Sequence, residues 1–196
     1  VELAVGDFED PSSLRRAMHG IDSVFLTSAD GPRKVEHESA VIAAAAAAWV
    51  ARIVKLSSSR VEIGSDLAFW DWHGRIEQHL RDAEVPAVVL RANFFMSNLF
   101  AAADAIRHTG RLFAPAGDAR IAMIDPRDIG AAAAVLLTET VQDGRTYLVT
   151  GPHPISYSEV TGQLSAATGH DISSHSSTFR TRPRVPRSSI PAHRYG

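Results

Sequence analysis

Short runs of β-branched and aliphatic residues alternate with longer amphipathic stretches along most of this chain. VELAVGDF from Val1, SVFLTSA from Ser23, RIVKLSSS from Arg52, AVVLRANFF from Ala87, ARIAMI from Ala119 and RTYLVTG from Arg145 have the composition and length of strands. Between them lie helical patterns. Asp10-Pro11 sets a helix start, with Asp as N-cap and Pro at the first helical position; Leu14, Ala17 and Met18 form its apolar face and Gly20 ends it. Further helices are predicted from about Arg33 to Trp49, from Phe69 to Ala83, and from Met96 to His108, the last closed by Gly110. A second Asp-Pro start at Asp125 opens IGAAAAVLL, and Ser156 with Glu159 forms a capping box for a helix ending at Gly169. Strands alternating with helices predict an α/β fold with a doubly wound parallel sheet. In such a sheet ligands bind outside the carboxyl ends of the strands, which puts Ser57, Ser58, His73, Asn93 and Phe94 around one crevice.

With 196 residues, 45% of them hydrophobic, the chain can build one good core, so one domain is expected. A net charge of −2 gives no reason to expect nucleic acid or an acidic membrane as partner. The absence of cysteine excludes disulfides and thiol chemistry. The longest apolar run, Ala40 to Val50, is too short to span a bilayer, and a cytoplasmic location is expected. Of the 20 basic residues only Lys34 and Lys55 are lysine, a bias that reads as coding composition rather than function. The chain opens already inside a strand pattern, as an N-terminally truncated domain would. From Ser173 to Gly196 it shifts to Ser, Arg, Pro and His; the domain is expected to occupy 1–172 and the basic tail 173–196 to remain unpacked. Arg180, Arg182, Arg184, Arg187 and Arg194 in that tail could neutralise phosphates, but few aromatics accompany them to stack bases.

Each candidate for chemistry has a plain structural alternative. Asp7-Phe8, ending the first run, could receive an adenine amino group and cover the base, or form a turn. Thr27 and Ser28 line the same groove or satisfy a strand-to-helix loop. Ser57, Ser58 and Ser59 lack the G-x-S-x-G elbow of a serine nucleophile, which argues against a hydrolase. His73 and Glu77, four apart on one helical face, suit a site or an ordinary surface pair. Gly74 and Glu77 exclude an H-E-x-x-H zinc site, and no metal is expected. Trp70 and Trp72, in a loop or first turn, form a flat substrate surface or anchor that segment to the core. Asn93-Phe94-Phe95 could hydrogen-bond and stack on a cofactor. Asp125 and Asp128 are explained by N-capping.

Taken together, VGDFEDPSSLRRAMHGIDSVFL, RIVKLSSS, WHGRIEQHL, VPAVVLRANFFMSNL and IDPRDIGAAAAVLL resemble the NmrA-like branch of the atypical short-chain dehydrogenases/reductases, over about Val1 to Gly169. The resemblance implies a Rossmann-like domain that binds NADP or NAD, with a substrate-side region from the C-terminal third. It implies hydride transfer from NAD(P)H to a small quinone-like or azo acceptor. The alternatives are a dinucleotide-sensing regulator that binds a protein partner without turnover, and an inactive fragment. It places Asp7 and Phe8 beside adenine, Thr27 and Ser28 on the adenosine ribose side, Ser57 and Ser58 near the nicotinamide, and Asn93, Phe94 and Phe95 in the nicotinamide-side loop. His73, where relatives carry a lysine touching the nicotinamide ribose, becomes the candidate catalytic residue, with the acceptor held against Trp70 and Trp72. No Tyr-x-x-x-Lys occurs, since Gly151 and Thr161 stand four residues after Tyr147 and Tyr157. Nor does G-x-G-x-x-G or G-x-x-G-x-x-G, the Gly-rich turn that cradles a pyrophosphate. That turn, with the family's first βαβ unit, is expected upstream of Val1. Its absence would leave an open sheet edge for a second copy or a partner to cover.

Overall fold

The computed structural model describes residues 2–114, 116–140 and 143–176. Four parallel strands form the central sheet: β1 (Ser23–Leu26), β2 (Arg52–Ser58), β3 (Ala87–Ala92) and β5 (Thr146–Val149), in the order β1-β2-β3-β5. Helices α2 (Lys34–Ala47) and α3 (Ala68–Asp82), joined by α1 (Pro11–Ala17), cover one face, and α5 (Pro126–Thr138) covers the other.

Two-residue periodicity explains this layering. In β2, Ile53 faces the α2 and α3 side while its neighbour Val54 faces α5, and neither has any exposed surface. Val88 and Leu90 repeat the division against Val89 on β3. Because both faces are buried, β2 and β3 read as near-continuous apolar runs, the mark of a parallel sheet. Each such side chain contributes about 1.5–3 kcal/mol of burial. The alanine run of α2 brings its backbone close: Ala44 and Ala45 sit beside Ile42 in the core facing the sheet.

The predicted caps are present. Asp10 accepts from Ser12 N–H at 2.8 Å, Asp125 from Arg127 N–H at 2.8 Å, and Ser156 and Glu159 form the reciprocal box at the start of α6 (Tyr157–Thr168). Gly169 ends α6 in the left-handed conformation.

Beside the sheet lies a smaller layer. It holds a 3₁₀ segment (Met96–Ala102), α4 (Ala103–Thr109), α6, and a two-stranded parallel ladder of β4 (Arg111–Ala114) with β6 (Ser173–Ser176). Leu112, Ala114, Met123, Tyr157 and Val160 form its core.

Four expectations are corrected here. Residues 2–7 of the first run form no strand; Leu3 and Val5 are 90% and 93% exposed, because no described strand offers them a ladder. The Met96–His108 helix divides in two, a 3₁₀ segment Met96–Ala102 followed by α4, and its first N–H, on Met96, is taken up by Ile124 O. ARIAMI is no ladder strand. It is a connector held by single bridges, Ile124 to Phe95 and Ile121 to Ile155. Finally, the first four residues of the expected tail, Ser173–Ser176, pair with β4. The hydrophobic pattern misses this strand because backbone hydrogen bonds, not apolar side chains, hold it. The remainder of the tail, with its arginines, lies outside the described residues.

Candidate functional site

A cleft of about 540 Å³ opens where β1, β2 and β3 end. Most of its wall comes from strand carboxyl ends and the segments that follow them, with Ile121 added from the connector. β1 runs into Thr27 and Ser28, β2 ends in Ser57, Ser58 and Ser59, and β3 runs into Asn93, Phe94 and Phe95, all of which line the cleft. The first turns of α3 add Phe69, Trp70 and His73. These residues, 68 positions apart in sequence at the extremes, meet because parallel strands place all their carboxyl ends on one edge.

Three predicted residues lie outside this lining. Asp7 is exposed and forms a turn: its carboxylate accepts from Glu9 N–H at 2.9 Å, and its carbonyl from Asp10 N–H. Phe8 stacks on His37 with ring centroids 5.0 Å apart. Trp72 is two residues from Trp70 on α3, about 200° around the helix, and faces away. Trp70 stays at the cleft, with the Arg60 guanidinium 4.3 Å from its ring centroid.

His73 and Glu77 are not a surface pair. Both are buried, and with Ser57 and Arg91 they form one hydrogen-bonded chain behind the cleft. Arg91 grips Glu77 with two bonds, Nε to Oε1 at 3.1 Å and Nη2 to Oε2 at 2.7 Å. Ser57 donates to Glu77 Oε1 at 2.6 Å, and Ser57 Oγ lies 3.5 Å from His73 Nδ1. Burial first, and then the charges of Lys55 and Lys34, push the His73 imidazole down to about 3, so it is neutral at neutral pH.

A second buried network holds the β1 side. Glu38, with no exposed surface, takes Lys55 Nζ at 2.8 Å on one oxygen and Lys34 Nζ at 3.1 Å on the other. Ser28 donates to Glu38 Oε1 at 2.8 Å, and Lys34 donates to Ser28 O at 2.9 Å. Desolvation pushes the Lys55 ammonium below its usual range, while Glu38 pulls the other way. The hydroxyl proton of Ser28 is thus spent on the scaffold, which fits the loop-satisfying alternative. No sequence motif marks Lys34, Glu38, Lys55 or Arg91 as site residues. The available signal was lysine scarcity: the only two lysines of the chain are both in this network.

The loop Phe94–Phe95 is fixed from the smaller layer. Ile124 N–H donates to Phe94 O at 2.9 Å, and Ile121, which lines the cleft, pairs with Ile155. Among the described residues, no group of three or more His, Cys, Asp or Glu side chains could hold a metal, and no helix is long and apolar enough to cross a membrane.

The fold and cleft have counterparts. The (4-alkanoyl-5-oxo-2,5-dihydrofuran-3-yl)methyl phosphate reductase of Streptomyces griseus is 42% identical over 173 residues, covering 88% of this chain and 61% of that protein. The NAD(P)H azoreductase of Xenophilus azovorans is 34% identical over 172 residues, covering 88% of this chain and 60% of its own length. The crystal structure of the Escherichia coli NADPH-dependent quinone oxidoreductase complexed with NADPH superposes with a TM-score of 0.81 at 26% identity, over 90% of this chain and 62% of that one. The chain therefore spans about three fifths of the length of these relatives. The model of the NmrA-like family matches residues 1–190, and with the parallel α/β sheet this establishes that the chain belongs to the NmrA-like family.

Proposed function

We propose that this chain forms the nicotinamide-side and acceptor-side part of an NAD(P)H-dependent reductase that passes hydride to a small, flat, conjugated acceptor of the quinone or azo kind. The observation that carries this reading is the combination in one cleft of an aromatic wall, Phe69, Trp70, Phe94 and Phe95, with a neutral buried His73 and strand-end hydroxyls. The names of the relatives support it, being an azoreductase, a reductase of a furanone phosphate and a quinone oxidoreductase.

The residues present fit the nicotinamide and its ribose better than the pyrophosphate. Ser57 and Ser58 end a strand at the cleft, and the Asn93 amide beside them can meet a carboxamide. No Gly-rich turn stands among the described residues to hold phosphates. When bound, the dihydronicotinamide supplies the hydride. The chain's own residues orient: Trp70 offers a flat face to a planar acceptor, and Phe94 and Phe95 exclude water from the reacting plane. A neutral His73 can hold a hydrogen bond but has no imidazolium proton to give, so solvent protonates the reduced acceptor.

Titration of the purified protein with NADPH and NADH, followed by cofactor fluorescence, tests this reading, with menadione and then methyl red added as acceptors. Binding with acceptor-dependent oxidation is expected. Binding without turnover would favour a dinucleotide sensor, and a folded protein that binds neither nucleotide would overturn the proposal.

A further inference from the structure

We propose that Glu77 and Ser57 lock His73 in the Nδ1–H tautomer, so that His73 offers the cleft a hydrogen-bond acceptor, Nε2, and selects a ligand group that brings its own proton, a hydroxyl or an amide N–H. Only the identity of that group as a ribose hydroxyl or carboxamide rests on the reductase reading.

The argument is a count of protons. Arg91 holds Glu77 at both oxygens, at 3.1 and 2.7 Å, which fixes it as a carboxylate that only accepts. The 2.6 Å contact between Ser57 Oγ and Glu77 Oε1 must then contain the hydroxyl proton. A serine hydroxyl has one proton, so Ser57 can offer His73 only a lone pair, and the Nδ1 at 3.5 Å is the donor. A neutral imidazole carries one N–H, which leaves Nε2 bare. Among the described residues Nε2 has no hydrogen-bond partner, and His73 lines the cleft.

The Phe69 ring meets the imidazole edge-on, with ring centroids 4.8 Å apart. The depressed basicity of His73 agrees with a neutral ring. Glu77 is thereby a positioning residue, acting through Ser57 and touching no ligand itself. A lysine at this place would present a proton, whereas His73 so held presents a lone pair.

The test is the tautomer itself, read by long-range ¹H–¹⁵N correlation on protein labelled with ¹⁵N-histidine, without cofactor, between pH 6 and 8. His73 is assigned by its loss in His73→Gln. The expected result is a neutral ring with Nδ1 protonated and Nε2 bare. In Ser57→Ala, and in Glu77→Gln, which frees the serine proton, the His73 pattern should move toward Nε2–H or a mixture, and Ser57→Thr should restore it. A wild-type His73 that is Nε2-protonated or an imidazolium overturns the proposal, as does a pattern unchanged in a folded Ser57→Ala protein. Failure of the reductase reading is distinguishable, because it appears as absent NADPH binding while the tautomer pattern is as expected.

Discussion

Lys55 Nζ stands 2.8 Å from Glu38 Oε2, and neither side chain has any exposed surface. The pair survives burial because the other oxygen, Oε1, receives both Lys34 and Ser28, leaving Oε2 to the Lys55 ammonium. A buried ion pair adds little net stability, yet removing one partner leaves an uncompensated charge, at about 3–5 kcal/mol. Glu38→Gln leaves the buried Lys55 ammonium without its counter-charge and Lys34 with Asp30 alone, whereas Lys55→Met leaves Glu38 paired with Lys34. Urea unfolding should therefore show the larger loss for Glu38→Gln, about 3–5 kcal/mol, and roughly half that for Lys55→Met. Equal losses would show that Glu38 is not the hub.

His73 makes stability fall with acid. Its folded value, about 3, lies below the ordinary 6.5, so between those limits the unfolded chain binds a proton that the native state refuses. The contribution is complete above pH 6.5 and is lost as pH falls toward 3, with a limiting slope of about 1.4 kcal/mol per pH unit. His73→Gln should flatten the dependence of the urea midpoint between pH 6.5 and 4.5, above the range where carboxylates such as Glu159, lowered to about 2, titrate.

Trp70 and Trp72 should separate in kinetics. With Trp70 in the cleft lining and Trp72 outside it, Trp70→Ala should raise the menadione KM about tenfold or more, the equivalent of roughly 1.4 kcal/mol of lost stacking. Trp72→Ala should leave KM within about twofold, because Trp72 does not line the cleft. The reverse order would place the acceptor elsewhere.

Gly151 has no room for a methyl group. A Cβ there would lie 1.9 Å from Met123 O, on the connector that bridges to Phe95 and Ile155. Gly151→Ala should cost about 1–3 kcal/mol and speed amide exchange at Ile121, Ile124 and Ile155, which these bridges protect. Unchanged exchange at those amides would mean that the connector does not depend on this close approach.

The cleft was partly legible. Ser57, Ser58, His73 and Asn93 could be brought together from sequence because they stand at or just after strand ends, and the topology of a parallel sheet collects those ends. Asp7 and Phe8 were carried by resemblance to the adenine side, yet locally they obey turn chemistry and stacking on His37. The ladder of β4 with β6 leaves no mark in the sequence, because SSHS has no apolar period to read. Helix starts at Asp10, Asp125 and Ser156 are legible, since a cap is a contact between residues two or three apart.

By itself, the sequence determined what depends on neighbours along the chain: caps, the two-residue period of the strands, and the parallel α/β class those strands imply. Tertiary structure alone decided which polar groups are buried together. Arg91 meets Glu77, and Lys55 meets Glu38, across 14 and 17 positions, and no local pattern marks one member of such a pair as the other's partner. The physical reason is desolvation. A carboxylate or ammonium enters the interior only when a counter-group and hydrogen bonds arrive with it, and that is settled by the packing of β2 and β3 against α2 and α3.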